Sequence, residues 1–190
     1  MTNTKSVLLV GVGGQGTILT SKIFSTGLLN AGYDVKMSEI HGMAQRGGSV
    51  STQVRYGDDV SSPIIGRGEA DILIAFEKME AMRWIEFLSK DGKLIVNDFE
   101  IESATVLAGK EKYPDGINEA LDEKADRKLV EASKMALDLG NIRVMNIIML
   151  GIMIRELNLG KIDWKTEMER LIKPRFVEIN KKAFDLGYSL

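Results

Sequence analysis

The sequence predicts an open α/β sheet, mostly parallel, with helices on its faces and a helical C-terminal segment. Three observations predict it. Val7–Val10 and Asp71–Phe76 are apolar runs of the kind a strand buried on both faces requires. Gly11-Val12-Gly13-Gly14-Gln15-Gly16 turns the chain directly after the first run. Amphipathic segments then alternate with further apolar strands. The 190 residues suit one domain over 1–190, and a 44% hydrophobic content supplies its core.

After the glycine-rich turn a helix is expected from Gln15 to Asn30, with Ile18, Leu19, Ile23, Phe24 and Leu28 on one broad face. Gly32 suits its left-handed cap. Asp34–Ile40 is a second strand, and Ser49–Tyr56 alternates as a third, followed by a turn at Gly57-Asp58-Asp59. Pro63–Ile65 reads as a short extended piece. Asp71–Phe76 is a buried strand, Glu77–Leu88 a helix with Ala81, Trp84, Ile85 and Leu88 inward, and Lys93–Val96 a strand. Beyond it the pattern predicts a strand at Thr105–Leu107, a helix at Ile117–Glu123, a strand at Lys128–Glu131 and a helix at Ser133–Leu139. Ile142–Leu157 reads as an apolar helix carrying Met145, Met149 and Met153, either a core helix or one whose exposed part meets a partner. Glu167–Ile172 and Val177–Leu186 close the chain as helices on either side of Pro174.

Composition excludes several chemistries. The chain has no cysteine, so it holds no disulfide, thiolate nucleophile, Cys-ligated zinc or iron–sulfur cluster of its own. Its single histidine excludes a multi-His metal site within one chain. A net charge of −2 gives no general affinity for nucleic acid or anionic lipid. Ile147–Ile154, interrupted by Gly151, is far shorter than the ~18 apolar residues that span a bilayer. Met1–Ser6 runs into the first strand with no cleavage-site pattern. The expectation is a soluble, cytoplasmic protein without nucleic-acid or membrane partners.

Two segments carry the functional signal. Gly11, Gly13 and Gly16 match G-x-G-x-x-G between a strand and a helix. Such a turn brings the backbone close to a ligand and aims unpaired helix amides at an anion. Glu39, near the end of the second strand, stands where a dinucleotide site would read a ribose. The motif alone serves a Rossmann-like nicotinamide or flavin site, a site for another anion or polar partner, or only tight packing of helix on sheet. The second segment is His41-Gly42-Met43-Ala44-Gln45-Arg46-Gly47-Gly48-Ser49. His41 titrates near neutrality and is a candidate base, but no nucleophile with triad-like partners accompanies it. Arg46 is the stronger candidate, because its guanidinium forks onto carboxylate or phosphate and the Gly47-Gly48 backbone can form an anion nest beside it. The alternative is a chain reversal at Gly47-Gly48 with Arg46 paired to Glu39. Gln45 hydrogen-bonds in either role. If the first two strands are parallel neighbours, both loops sit at the carboxyl edge of the sheet, where ligands bind in such folds.

Residues 11–57, with Ser38–Gly48 at their centre, resemble the gamma-type domain of the 2-oxoacid:ferredoxin oxidoreductases, and within it the small (beta) subunit type of the indolepyruvate branch. The resemblance continues through ADILIAFEKMEAMRW and DGKLIVND to LGNIRVMNIIMLG, nearly the whole chain. It implies a subunit of an enzyme, not a complete one, inactive alone. A large (alpha) subunit would carry thiamine diphosphate, Mg2+ and [4Fe–4S] clusters, decarboxylate an aryl 2-oxoacid, pass electrons to ferredoxin and form an acyl-CoA. This chain has neither the cysteines nor the glycine-aspartate-glycine pattern for those groups. The resemblance therefore implies that Gly11, Gly13, Gly14, Gln15 and Gly16 face substrate or CoA, that Arg46, Gly47 and Gly48 bind an anionic group, and that His41 and Gln45 position it. Equivalent subunits for other 2-oxoacids and a free-standing NAD or FAD module are the competing expectations.

Overall fold

A computed structural model of the chain describes residues 4–41 and 47–190. Six strands form one sheet in the order β2-β3-β1-β4-β5-β6. They are β1 (Lys5–Val12), β2 (Asp34–His41), β3 (Ser49–Gly57), β4 (Ala70–Ala75), β5 (Leu88–Asn97) and β6 (Arg127–Val130). β1, β4, β5 and β6 pair in parallel, while β3 lies antiparallel between β1 and β2. The first two strands are thus not neighbours. They still run the same way, because each is antiparallel to β3, and both loops leave the same edge of the sheet.

Alternation along the strands splits the core in two. Val7 and Leu9 of β1 face one side with Ile72, Ile74 and Ile95, and Leu8 and Val10 face the other with Leu73, Leu94 and Val96. The first side is covered by α1 (Thr17–Asn30), α5 (Ala132–Asp138), α6 (Met145–Glu156), α7 (Trp164–Leu171) and α8 (Pro174–Ser189). The second is covered by α2 (Lys78–Trp84), α4 (Ile117–Asp122) and Ile65 of the chain before β4.

Local chemistry sets the boundaries. α1 ends as expected at Gly32, whose φ of 92° lets its amide reach Leu29 O at 3.0 Å. The predicted strand at Thr105–Leu107 is instead a one-turn helix, α3 (Ala104–Leu107): Leu107 N–H donates to Ser103 O at 2.9 Å. The β-branched Thr105 and Val106 suggest a strand, but the segment pairs with none of the six strands of the sheet. The helix expected through Leu88 stops earlier, passes through a 3-10 turn at Ile85–Phe87, and Leu88 opens β5. Pro174 does not separate helices so much as begin one, at the first position of α8, where its missing N–H costs nothing.

α6 decides the methionine question. Every residue from Met145 to Ile154 is buried, so Met145, Met149 and Met153 fill the core. A helix apolar all round needs cover on every side. The sheet provides one wall and α8 another, and the two helices touch backbone to backbone. A Cβ at Gly187 would lie 2.0 Å from Ile148 O, and one at Gly151 would lie 2.4 Å from Phe184 O. At the far end of α6, Glu156 accepts hydrogen bonds from Lys93 at 2.7 Å and Lys128 at 3.3 Å, tying the helix to β5 and β6.

Two outcomes follow from this packing. Gly187→Ala forces α8 off α6 and should cost about 1–3 kcal/mol, lowering Tm by roughly 2–12 °C in a thermal melt; an unchanged Tm would mean that α8 yields freely. The hydrogen bond from Lys93 holds the Glu156 carboxyl below its usual value of 4.5. Its stabilisation is therefore present above that value and is lost as pH falls through the lower native one. Glu156→Gln should lower Tm at pH 7, with the gap to the parent chain closing below pH 4.5. A gap that stays constant into acid would assign the effect to packing.

Candidate functional site

At the carboxyl edge the glycine-rich turn and the start of β3 are joined by backbone hydrogen bonds. Gly13 N–H donates to Gly48 O at 2.9 Å, and Gly47 N–H reaches back to Gly13 O at 3.5 Å. Both loops singled out in the sequence therefore meet at one place. Gly14 and Gly47 stand there with φ of 104° and 81°, and a Cβ on either would meet open space. Their requirement is the left-handed backbone. Gly16 is different: it caps α1 with φ 84°, and a Cβ on it would lie 2.5 Å from Asn146 Nδ2. Asn146, buried at the start of α6, donates to Gly16 O at 3.1 Å and locks the turn to the far helix.

Gln15 is committed inside the chain. Its Oε1 accepts from Val12 N–H and its Nε2 donates to Phe76 O, each at 2.8 Å. The same carbonyl accepts from Asn97 Nδ2 at 3.0 Å, and that amide also reaches Ser133 Oγ at 2.9 Å. Asn97 Oδ1 accepts from Ser133 N–H at 3.1 Å. Two side-chain amides thus stitch the ends of β1, β4 and β5 and the start of α5 into one edge. Gly11 belongs to this seam, since a Cβ there would sit 2.9 Å from Gln15 Oε1.

The Glu39 side chain accepts from Ser21 Oγ on α1 at 3.2 Å. His41 ends β2 opposite Val50. Gln45 and Arg46 lie outside the described residues.

Beside the joined turns lies a cleft of about 330 Å³, between Gly47 and Ser49, helix α2, and the chain from Ile101 to Pro114. Its floor holds two buried carboxylates, 1% and 4% exposed, that sequence reasoning missed. Glu77 caps α2 by accepting from Glu80 N–H at 2.9 Å, and it also accepts from Ile101 N–H at 3.3 Å and from Tyr113 O–H. Glu80 accepts from Ser49 Oγ and stands 3.1 Å from Arg83 Nε. Burial pushes the Glu80 carboxyl up, against the opposing hydrogen bond from Ser49. Burial and the bond to Glu77 push the Tyr113 phenol up, so it stays a donor. The signal for these residues was positional: Glu77 comes just after β4, and Asn97 ends β5, at the edge where loops gather. Among the described residues, no group of His, Asp or Glu could hold a metal ion, and no helix is long and apolar enough to cross a membrane.

Gln15→Leu removes both hydrogen bonds and strands the Val12 amide. It should cost about 1–3 kcal/mol in urea unfolding; a loss below roughly 0.5 kcal/mol would show that water replaces the amide.

Comparison with known proteins places this edge in context. A family model described as pyruvate ferredoxin/flavodoxin oxidoreductase matches residues 6–190. The indolepyruvate oxidoreductase subunit IorB of Archaeoglobus fulgidus is 38% identical over 189 residues, covering 97% of this chain and 94% of that one. IorB of Pyrococcus horikoshii is 35% identical over 188 residues, 96% and 93% of the two chains. The fold is shared with the gamma subunit of a keto/oxoacid ferredoxin oxidoreductase from Geobacter sulfurreducens, with a TM-score of 0.70, 24% identity and coverage of 97% and 96%. It recurs in a 2-oxoglutarate:ferredoxin oxidoreductase from Magnetococcus marinus, with a TM-score of 0.75 and 18% identity, where 98% of this chain matches 30% of that longer one. The chain belongs to the pyruvate ferredoxin/flavodoxin oxidoreductase family, and within it to the small-subunit type that the IorB proteins represent.

Proposed function

We propose that this chain is the small subunit of an indolepyruvate:ferredoxin oxidoreductase and supports the CoA-dependent oxidative decarboxylation of an aryl 2-oxoacid, with ferredoxin as electron acceptor. The observation that carries the reading is the match to IorB chains over nearly the full length of both partners. The redox chemistry belongs to a larger partner. Thiamine diphosphate, Mg2+ and [4Fe–4S] clusters would supply it, held by residues of that partner. This chain's own residues do not fit those groups: it has no cysteine for a cluster.

What the chain supplies is the carboxyl edge. The turns around Gly13-Gly14 and Gly47-Gly48, held together by the Gly13–Gly48 hydrogen bond, offer a wall of bare backbone that a ligand can approach closely. Arg46 neutralises an anionic group on that wall, either a CoA phosphate or the substrate carboxylate, and His41 and Gln45 orient it. Gln15, Gly11 and Gly16 hold the wall in shape. The Gln15 amide is spent on Val12 and Phe76, so its contribution is rigidity.

Anaerobic co-expression and affinity purification test the assignment. A large subunit with iron–sulfur absorbance should copurify, and the complex should reduce ferredoxin or viologen in the presence of indolepyruvate and CoA. Recovery of the chain alone, with no such partner, would sink it. Arg46→Ala should leave assembly intact and raise KM for CoA or oxoacid by roughly tenfold, the loss expected for one charge-assisted hydrogen bond. Micromolar binding of NAD(H) or flavin by the isolated chain would favour the dinucleotide alternative instead.

A further inference from the structure

The cleft beside the joined turns has a second wall, and its side chains are tied to the first. Ser49 follows directly on Gly47-Gly48, and its hydroxyl donates to Glu80. Glu80 in turn stands against Arg83 Nε at 3.1 Å, while the Arg83 side chain remains 59% exposed. The turn is thus pinned from two directions, by its backbone to Gly13 and by Ser49 to α2. Carboxylates line the cleft as well, but their oxygens are occupied from within the chain. Glu77 takes its bonds from Glu80, Ile101 and Tyr113, and the exposed Glu111 accepts from Thr105 Oγ1 at 2.8 Å. Lys112 lines the same cleft, exposed and without an ion pair among the described residues. Two cationic residues, Arg83 and Lys112, therefore line the same cleft as Gly47.

We propose that Glu80 is a positioning residue for this site: through Ser49 it fixes the Gly47-Gly48 turn, and through Arg83 it aims a guanidinium into the cleft, where Arg83 binds the phosphate or carboxylate of the incoming anionic substrate. A carboxylate behind an arginine fixes the fork of the guanidinium, which leaves its remaining N–H groups preorganised for a second anion. The inference rests on the reading of the Gly47-Gly48 turn as an anion-binding wall.

The test uses the assembled oxidoreductase, with CoA and indolepyruvate titrated separately. Arg83→Ala should raise KM for one of the two by roughly tenfold, with a smaller change in kcat. Glu80→Gln keeps an acceptor for Ser49 but loses the charge behind Arg83, and should raise the same KM by roughly threefold. A shift for CoA assigns the phosphate, and a shift for indolepyruvate assigns the carboxylate. A Glu80 that is only structural would lower Tm and leave both KM values where they were, which overturns the proposal. If Glu80→Gln does not assemble, Arg83→Ala and Arg83→Lys decide, because their exposed side chain is no part of the core. Arg46→Ala separates the two levels. Altered KM in Arg46→Ala with none in Arg83→Ala overturns the role of Glu80 and Arg83 alone, and no change in either removes the anion-binding wall itself.

Discussion

The carbonyl oxygen of Phe76 is the point on which the carboxyl edge depends. It sits just past the end of β4 and accepts from two side-chain amides, Gln15 arriving from the glycine-rich turn and Asn97 from the end of β5. Strands in a parallel sheet end separately, each with its own connection, and nothing in the ladder itself aligns their exits. Here the alignment is made by side chains. A carbonyl has two lone pairs, and filling both from opposite sides fixes the neighbouring strands at a common level. The turn at Gly13-Gly14, the start of β3 and the cap of α2 then gather at this stitched edge.

This constraint explains what the glycines of the dinucleotide-like turn do within the chain. Glycine at position 11 makes room for Gln15, and glycine at position 16 makes room for Asn146. Two of the three motif glycines thus serve contacts within the chain. The third, Gly13, serves the junction with Gly48. The insertion of β3 between β1 and β2 completes the difference. In a doubly wound sheet the second strand would lie beside the first and bring its acidic end to the turn. Here that place is taken by Ser49 and Val50, and Glu39 lies one strand further out, bonded to Ser21.

Much of this was legible in the sequence. The continuous apolar runs marked β1 and β4, and the strand–glycine–helix order located the edge where the two loops meet. The meeting of the two loops followed from common strand direction, although the neighbour relation assumed for them was wrong. What could not be read was the antiparallel strand, because alternating Val50, Thr52 and Val54 fit either direction. The helix at Ala104–Leu107 was missed because β-branched residues were weighed without knowing that no strand pairs with them. The buried acids of the cleft were missed for a different reason. The sequence pattern of the helix from Glu77 names only its apolar inward residues, and only the fold shows that Glu77 and Glu80 line a cleft walled by the chain from Ile101 to Pro114.

The bare contact between α6 and α8 also bears on how the chain is made. α6 is buried on every side, yet one of its walls is the last helix of the sequence, pressed so close that glycine is required on both partners. During synthesis α6 is made before the helix that covers it. At roughly 5–20 residues per second the delay is about two to seven seconds. Through that interval this apolar helix has nothing to lie against on that side, so this face of the core closes only once α8 has been made.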